Sequence, residues 1–227
     1  MSTTLAAVPS RSPWLHRLHG GDPYEGFDAA AYPLDLQGWN GTHPLLVEIV
    51  QKVRPEVVVE VGSWKGQSAV TFARELQRLG PGRTLLCVDT WLGGLEHWRE
   101  RTRPDFFPSL RVRHGYPGLY WQFLANIVHS GVQDVVVPFP NTSLNAARWL
   151  LHEQVRADVV YIDASHEEND VFADLTYYWQ VARPGGIVFG DDLGWPGVRA
   201  AVDRFVQQQG VQVGVRDNLW VLQKPSV

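Results

Sequence analysis

The sequence predicts an α/β domain in which a mostly parallel sheet carries helices on both faces and closes in an antiparallel hairpin. Three observations predict it: short, continuously apolar runs recur along the chain, segments with helical spacing alternate with them, and glycine or acidic residues stand where several of the runs end. A run that is apolar at every position suits a strand buried on both faces, whereas a strand with one wet face would alternate. Alternation of such runs with amphipathic helices is the pattern of a sheet covered on both sides.

Taken in order, residues 1–41 are rich in Pro, Gly and aromatic side chains without periodicity, and are expected to form an arm or cap laid over a surface. The domain itself is expected over 42–227. Thr42 is expected to cap a helix, with Pro44 just inside it and Leu45, Leu46, Ile49, Val50 and Val53 at helical spacing; Pro55 should end it. The run 57–61 is the first strand. It is followed by Gly62 and Gly66 and by a helix carrying Val70, Phe72, Ala73, Leu76 and Leu79. Strands at 84–88, 135–139, 158–162 and 186–189 then alternate with helices at 119–128, 144–151, 171–181 and 198–206. The last two runs, 211–215 and 219–222, flank the polar hinge Arg216-Asp217-Asn218, suited to a hairpin, and bring the expected sheet to seven strands. A stretch at about 90–117 holds Trp91, Trp98, Phe106, Phe107 and Tyr116 among Arg and His residues and reads as a lid-like insertion. Trp91, Trp98 and the nearby Trp121 suit either stacking on an acceptor or lid packing, and His97 and His114 read as surface residues.

Composition excludes several classes of function. A net charge of −4, with Lys and Arg scattered singly, gives no stripe to track a nucleic acid backbone. No apolar run approaches membrane-spanning length. The single cysteine, Cys87, cannot form an internal disulfide, and the first 13 residues lack the pattern of a secretory signal, so a cytoplasmic location is expected.

Two constellations carry chemistry. The first is Glu60-Val-Gly62-Ser-Trp64-Lys-Gly66-Gln-Ser68, where the first strand turns into its helix. Glycines there allow close approach of a ligand, and free helix amides favour an anionic group. Two glycines four residues apart do not make the dinucleotide fingerprint, which disfavours a nicotinamide enzyme. Asp89, ending the second strand, is placed to accept hydrogen bonds from ribose hydroxyls. The second constellation is Asp163, after the strand at 158–162, with Asp191 and Asp192 after that at 186–189. Three carboxylates beyond the ends of neighbouring strands would repel one another unless a hard divalent cation, Mg²⁺ above all, neutralised them. Capping of the next helix by Asp192 and pairing of Asp191 with an Arg is the alternative. His166, three residues after Asp163, titrates near neutrality and suits a general base beside a metal-bound hydroxyl.

In this order, Glu-x-Gly-x-x-x-Gly-x-Ser, the acidic end of the second strand, Asp163 with His166, and Asp191-Asp192 resemble the metal-dependent O-methyltransferases of the class I S-adenosylmethionine-dependent family over about 56–223. The resemblance implies that Glu60, Gly62, Trp64, Gly66 and Ser68 form the cofactor turn, with Ser68 at the methionine carboxylate. It further implies Asp89 at the ribose, 139–143 including Ser143 near the adenine, and Asp163, Asp191 and Asp192 on a Mg²⁺ ion, with Asp163 also touching the cofactor and reaction centre. His166 and Asp192 depart from the Lys and Asn usual in catechol enzymes and are closer to macrolide-sugar and other natural-product O-methyltransferases. The expected partner is a small-molecule hydroxyl acceptor, a sugar or polyol ahead of a catechol or phenol. A cofactor-binding relative that does not methylate is the further alternative. The first 41 residues are expected to cap the site or to join a neighbouring subunit in a homo-oligomer.

Overall fold

The computed structural model describes residues 12–226. Within the arm, residues 12–41 are more ordered than their composition predicts. Ser12 caps a short helix, α1 (Pro13–His19), and the chain makes a 3-10 turn at Ala29–Ala31 before reaching α2 (Pro44–Val53). Leu15 and Tyr24 enter the hydrophobic core, so the arm is partly a packed layer and not only a surface strap. The cap of α2 is His43, whose imidazole accepts from the Leu45 amide, and not Thr42: with Pro44 at the first helical position, the residue directly before it is the one left in extended geometry.

The rest follows the predicted alternation, save that a short helix, α4, forms inside the insertion where none was expected: β1 (Val57–Val61), α3 (Gln67–Leu79), β2 (Thr84–Asp89), α4 (Leu95–Arg99), α5 (Leu119–His129), β3 (Val136–Pro140), α6 (Ser143–His152), β4 (Ala157–Ile162), α7 (Glu168–Val181), β5 (Ala182–Gly190), α8 (Pro196–Gln209), β6 (Val213–Arg216) and β7 (Leu219–Gln223). The sheet order is β3-β2-β1-β4-β5-β7-β6. The first five strands are mutually parallel; β7 runs antiparallel to β5, and β6 antiparallel to β7.

This order places the site. The chain leaves β1 toward β2 and β3, then returns to the other side of β1 for β4 and β5. The reversal opens a crevice beyond the carboxyl ends of β1 and β4, where open α/β sheets bind ligands. The strands hold it rigidly: Val58, Val59, Leu85, Leu86, Val136, Val137, Val159, Val160 and Val188 are all inaccessible to solvent. No helix among the described residues is long and apolar enough to cross a membrane.

Candidate active site

At the end of β1, Gly62 has φ +88°, and a Cβ on it would lie 1.9 Å from the Asp163 carbonyl oxygen. Only glycine fits, because the turn after β1 is pressed against the end of β4. The candidate cofactor turn and the candidate carboxylate cluster are therefore one continuous surface.

The turn is organised by carboxylates beneath it. Asp89 Oδ2 accepts from the Ser63 and Trp64 amides, both at 2.8 Å, and its Oδ1 accepts from the Trp91 amide at 2.6 Å. Burial raises the Asp89 pKa, and these three amides hold the rise in check. In this structure Asp89 thus anchors the turn through both oxygens. Glu60 is fully buried; its Oε2 accepts from Ser63 Oγ at 2.6 Å, while Oε1 has no hydrogen-bond partner. Burial, and secondarily the negative charge of Asp89, push its pKa up to about 7 against the hydroxyls and thiol nearby. Ser68 is buried at the start of α3, which Gly66 caps in a left-handed conformation.

The arm and the insertion meet over this turn. Trp64 stacks on His97 at 4.3 Å and lies 5.8 Å from Trp39, and its Nε1 donates to Gln37 Oε1 at 3.1 Å. Phe106 also stacks on His97, at 5.3 Å. Contrary to the surface role expected from sequence, His97 is 8% exposed, because the insertion folds inward around α4. Trp91 is likewise in the core, its Nε1 donating to the Trp64 carbonyl, so it is no acceptor contact; Trp98 and Trp121 keep partly exposed rings. His114 is exposed as expected.

Asp163, His166, Asp191 and Asp192 line one cavity of about 10 Å³, the room of a single water-sized group. Tyr161 donates to Asp163 Oδ2 at 3.1 Å. Burial, then the charges of Asp192 and Asp191, drive the Asp163 pKa far above the ordinary carboxylate range. His166 Nε2 pairs with Asp192 Oδ2 at 2.9 Å, its Nδ1 lies 3.9 Å from Glu96 Oε1, and its ring lies flat on Trp195 at 4.4 Å and 7°. Burial would lower the His166 pKa, but the bond to Asp192 and the surrounding negative charges outweigh it, and the net shift is upward. Asn218, in the hairpin hinge, donates to Asp191 Oδ1 at 3.2 Å and to Asp192 Oδ1 at 3.3 Å. Neither alternative role suggested by sequence holds here: α8 is capped by Trp195, and the side-chain partners of Asp191 are Asn40 and Asn218 and no Arg.

The three aspartates share one cavity and their charges fit a divalent cation. In arrangement they stop short of a ligand set: among the described residues no three His, Cys, Asp or Glu side chains are grouped to hold a metal ion. The reason is visible in the bonds above, which turn Asp191 toward Asn218 and Asp192 toward His166. Ser143 lies apart from this centre, at the start of α6, with its hydroxyl against the buried Asp174 of α7 and its carbonyl accepting from Tyr178. Sequence reasoning missed Glu96, Trp195 and Asn218. Asn218 was visible only as a turn former, and Glu96 and Trp195 carried no spacing that tied them to His166.

A family model described as a methyltransferase domain matches residues 59–193, more than half of the chain. No curated protein sequence matches. Among solved structures, the chain is similar to an O-methyltransferase from Bacillus cereus in complex with SAH, at 14% identity and TM-score 0.57, covering 93% of this chain and 96% of that one. It is also similar to a calicheamicin methyltransferase, at 18% identity and TM-score 0.59 over 98% and 97% of the two chains. A third is the O-methyltransferase of tomaymycin synthesis from Streptomyces achromogenes, solved with SAM, at 16% identity and TM-score 0.58 over 93% and 94%. These likenesses establish the fold, and the matched domain establishes the family: the chain belongs to the methyltransferase-domain family and has a Rossmann-like class I methyltransferase fold.

Proposed function

We propose that the protein transfers the methyl group of S-adenosylmethionine to a hydroxyl of a small-molecule acceptor, with a sugar or polyol as the acceptor class. The observation that carries this reading is the contact between Gly62 and Asp163, which makes the cofactor turn and the His166 cavity one surface. The turn suits the donor. Gly62 leaves room for close approach, the α3 amides near Ser68 favour a carboxylate, and the orphaned Glu60 Oε1 beneath them is a ready acceptor for an ammonium group. The solved relatives from Bacillus cereus and Streptomyces achromogenes were obtained with SAH and SAM, which supports the same donor here.

On the acceptor side the cavity admits little more than a hydroxyl, so the body of the acceptor lies outside it, against the half-exposed Trp195 ring. An exposed indole beside a base suits the apolar face of a sugar ring. His166, fixed by Asp192 and Trp195, takes the hydroxyl proton at an imidazole nitrogen. The Asp163, Asp191 and Asp192 carboxylates are hard oxygen donors that suit Mg²⁺; to hold it, Asp191 and Asp192 would have to turn from Asn218 and His166, and such an ion when bound lowers the pKa of a hydroxyl beside it. Much of the rate then comes from holding donor and acceptor in line.

The test is a pair of variants assayed with sugar and catechol acceptors in parallel. His166→Ala keeps S-adenosylhomocysteine binding within about twofold and lowers turnover by about a hundredfold or more. Asp191→Ala loses activity together with any dependence on added Mg²⁺. Full activity in either variant removes that residue from the mechanism, and wild-type turnover unchanged by a chelator removes the cation.

A further inference from the structure

The arm, the glycine turn and the insertion border a second, open cavity, of about 370 Å³, lined by Asp35, Gln37, Lys65, Asp105, Ser109 and Arg111 among others. None of the residues assigned above to catalysis or metal binding lines it. Lys65 is 3% exposed, and its ammonium has one hydrogen-bond partner, Asp35 Oδ2 at 2.9 Å. An ammonium carries three donors, so a buried one facing a cavity with a single partner is under-used. Arg111 Nη2 donates to the same Asp35 oxygen at 2.9 Å, and its Nη1 donates to Gln122. The second acid of the lining, Asp105, is already paired with Arg103 at 2.6 Å. Two cations therefore share one carboxylate, and the wall keeps one positive charge uncompensated in a partly desolvated place. A compact anion would complete it.

We propose that this cavity is an anion subsite in which Lys65 and Arg111 take a carboxylate, phosphate or sulfate group carried by the acceptor. The word acceptor rests on the methyl-transfer reading above; the anion site itself does not. Asp35 then acts as the internal stand-in that keeps the two cations together when no ligand is bound.

The experiment titrates the full chain with inorganic phosphate at constant ionic strength, followed by the tryptophan fluorescence of the cluster around Trp64. Wild type should bind saturably. Arg111→Gln should weaken binding by about tenfold, the scale of one charge-assisted hydrogen bond. Asp35→Asn should tighten it, since it removes the competing carboxylate, and this opposite sign keeps a misfolded variant from imitating the result. Arg113→Gln, the same charge change outside the cavity, should leave it unchanged. A hydroxylated ester such as glucose phosphate should bind more tightly than inorganic phosphate, and phosphate should still bind in the presence of saturating S-adenosylhomocysteine. No saturable phosphate binding, or equal losses in Arg111→Gln and Arg113→Gln, would overturn the anion site. Displacement of phosphate by S-adenosylhomocysteine would assign the cavity to the donor's own carboxylate, and equal affinity for phosphate and its sugar ester would remove the acceptor from the assignment. Failure of S-adenosylhomocysteine to bind wild type would strike the methyl-transfer reading and leave the phosphate result standing.

Discussion

Single buried carboxylates make the sharpest residue-scale predictions. Asp174, 2% exposed on α7, has one oxygen without a partner, and burial above all pushes its pKa up to about 7 despite the Ser143 hydroxyl. The folded chain thus holds this proton where the unfolded chain has released it, so Asp174 weakens the fold progressively as pH rises from about 4 to about 7. Asp174→Asn should flatten that slope and raise stability at pH 8 by a few kcal/mol, read from urea unfolding at pH 5 and pH 8. An unchanged slope would show that the carboxyl finds a partner when it ionises. At the same scale, the positions of Asp163, His166, Asp191 and Asp192 were legible in the sequence because strand ends fix where such residues emerge. Their side-chain directions were not. Asp89 ends β2 as expected, yet its oxygens hold the Ser63, Trp64 and Trp91 amides, a choice made by loop geometry that no spacing encodes.

Among elements, the turn after β1 carries the strongest constraint. Gly62→Ala forces a Cβ into the Asp163 carbonyl from a left-handed backbone and should cost about 3 kcal/mol or more, with loss of cofactor binding. Gly115→Ala, also at positive φ (+82°) but with nothing within 4 Å of the added carbon, should cost about 1 to 2 kcal/mol and leave the site intact. Comparable losses in the two variants, measured by thermal unfolding, would show that the close approach at Gly62 relaxes easily. The sheet strands were legible because continuous apolar runs leave few other solutions, and β1 matches its expected bounds. Two elements were not. At seven residues α1 shows too little periodicity against the Pro- and Gly-rich background, although Ser12 and Pro13 do form a cap and a first turn. The inward fold of α4 depends on His97 finding Phe106 within the insertion and, far away in sequence, Trp39 of the arm and Trp64 of the glycine turn.

For the molecule as a whole, three segments that the sequence presents separately, arm, glycine turn and insertion, close over one crevice at the reversal of the sheet. Lys65, Asp35 and Arg111 tie the three together. A ligand bound at the turn after β1, beside that tie, should stabilise the fold: S-adenosylhomocysteine at about a hundredfold over its Kd adds about 2.7 kcal/mol and raises Tm by several degrees. The central claim is that this crevice holds an S-adenosylmethionine-type cofactor, and the most direct test is calorimetric titration of the full chain with S-adenosylhomocysteine, without and then with Mg²⁺. One-to-one binding in the micromolar range, competed by S-adenosylmethionine, is the predicted result; no detectable heat under either condition, with no competition, would contradict the account.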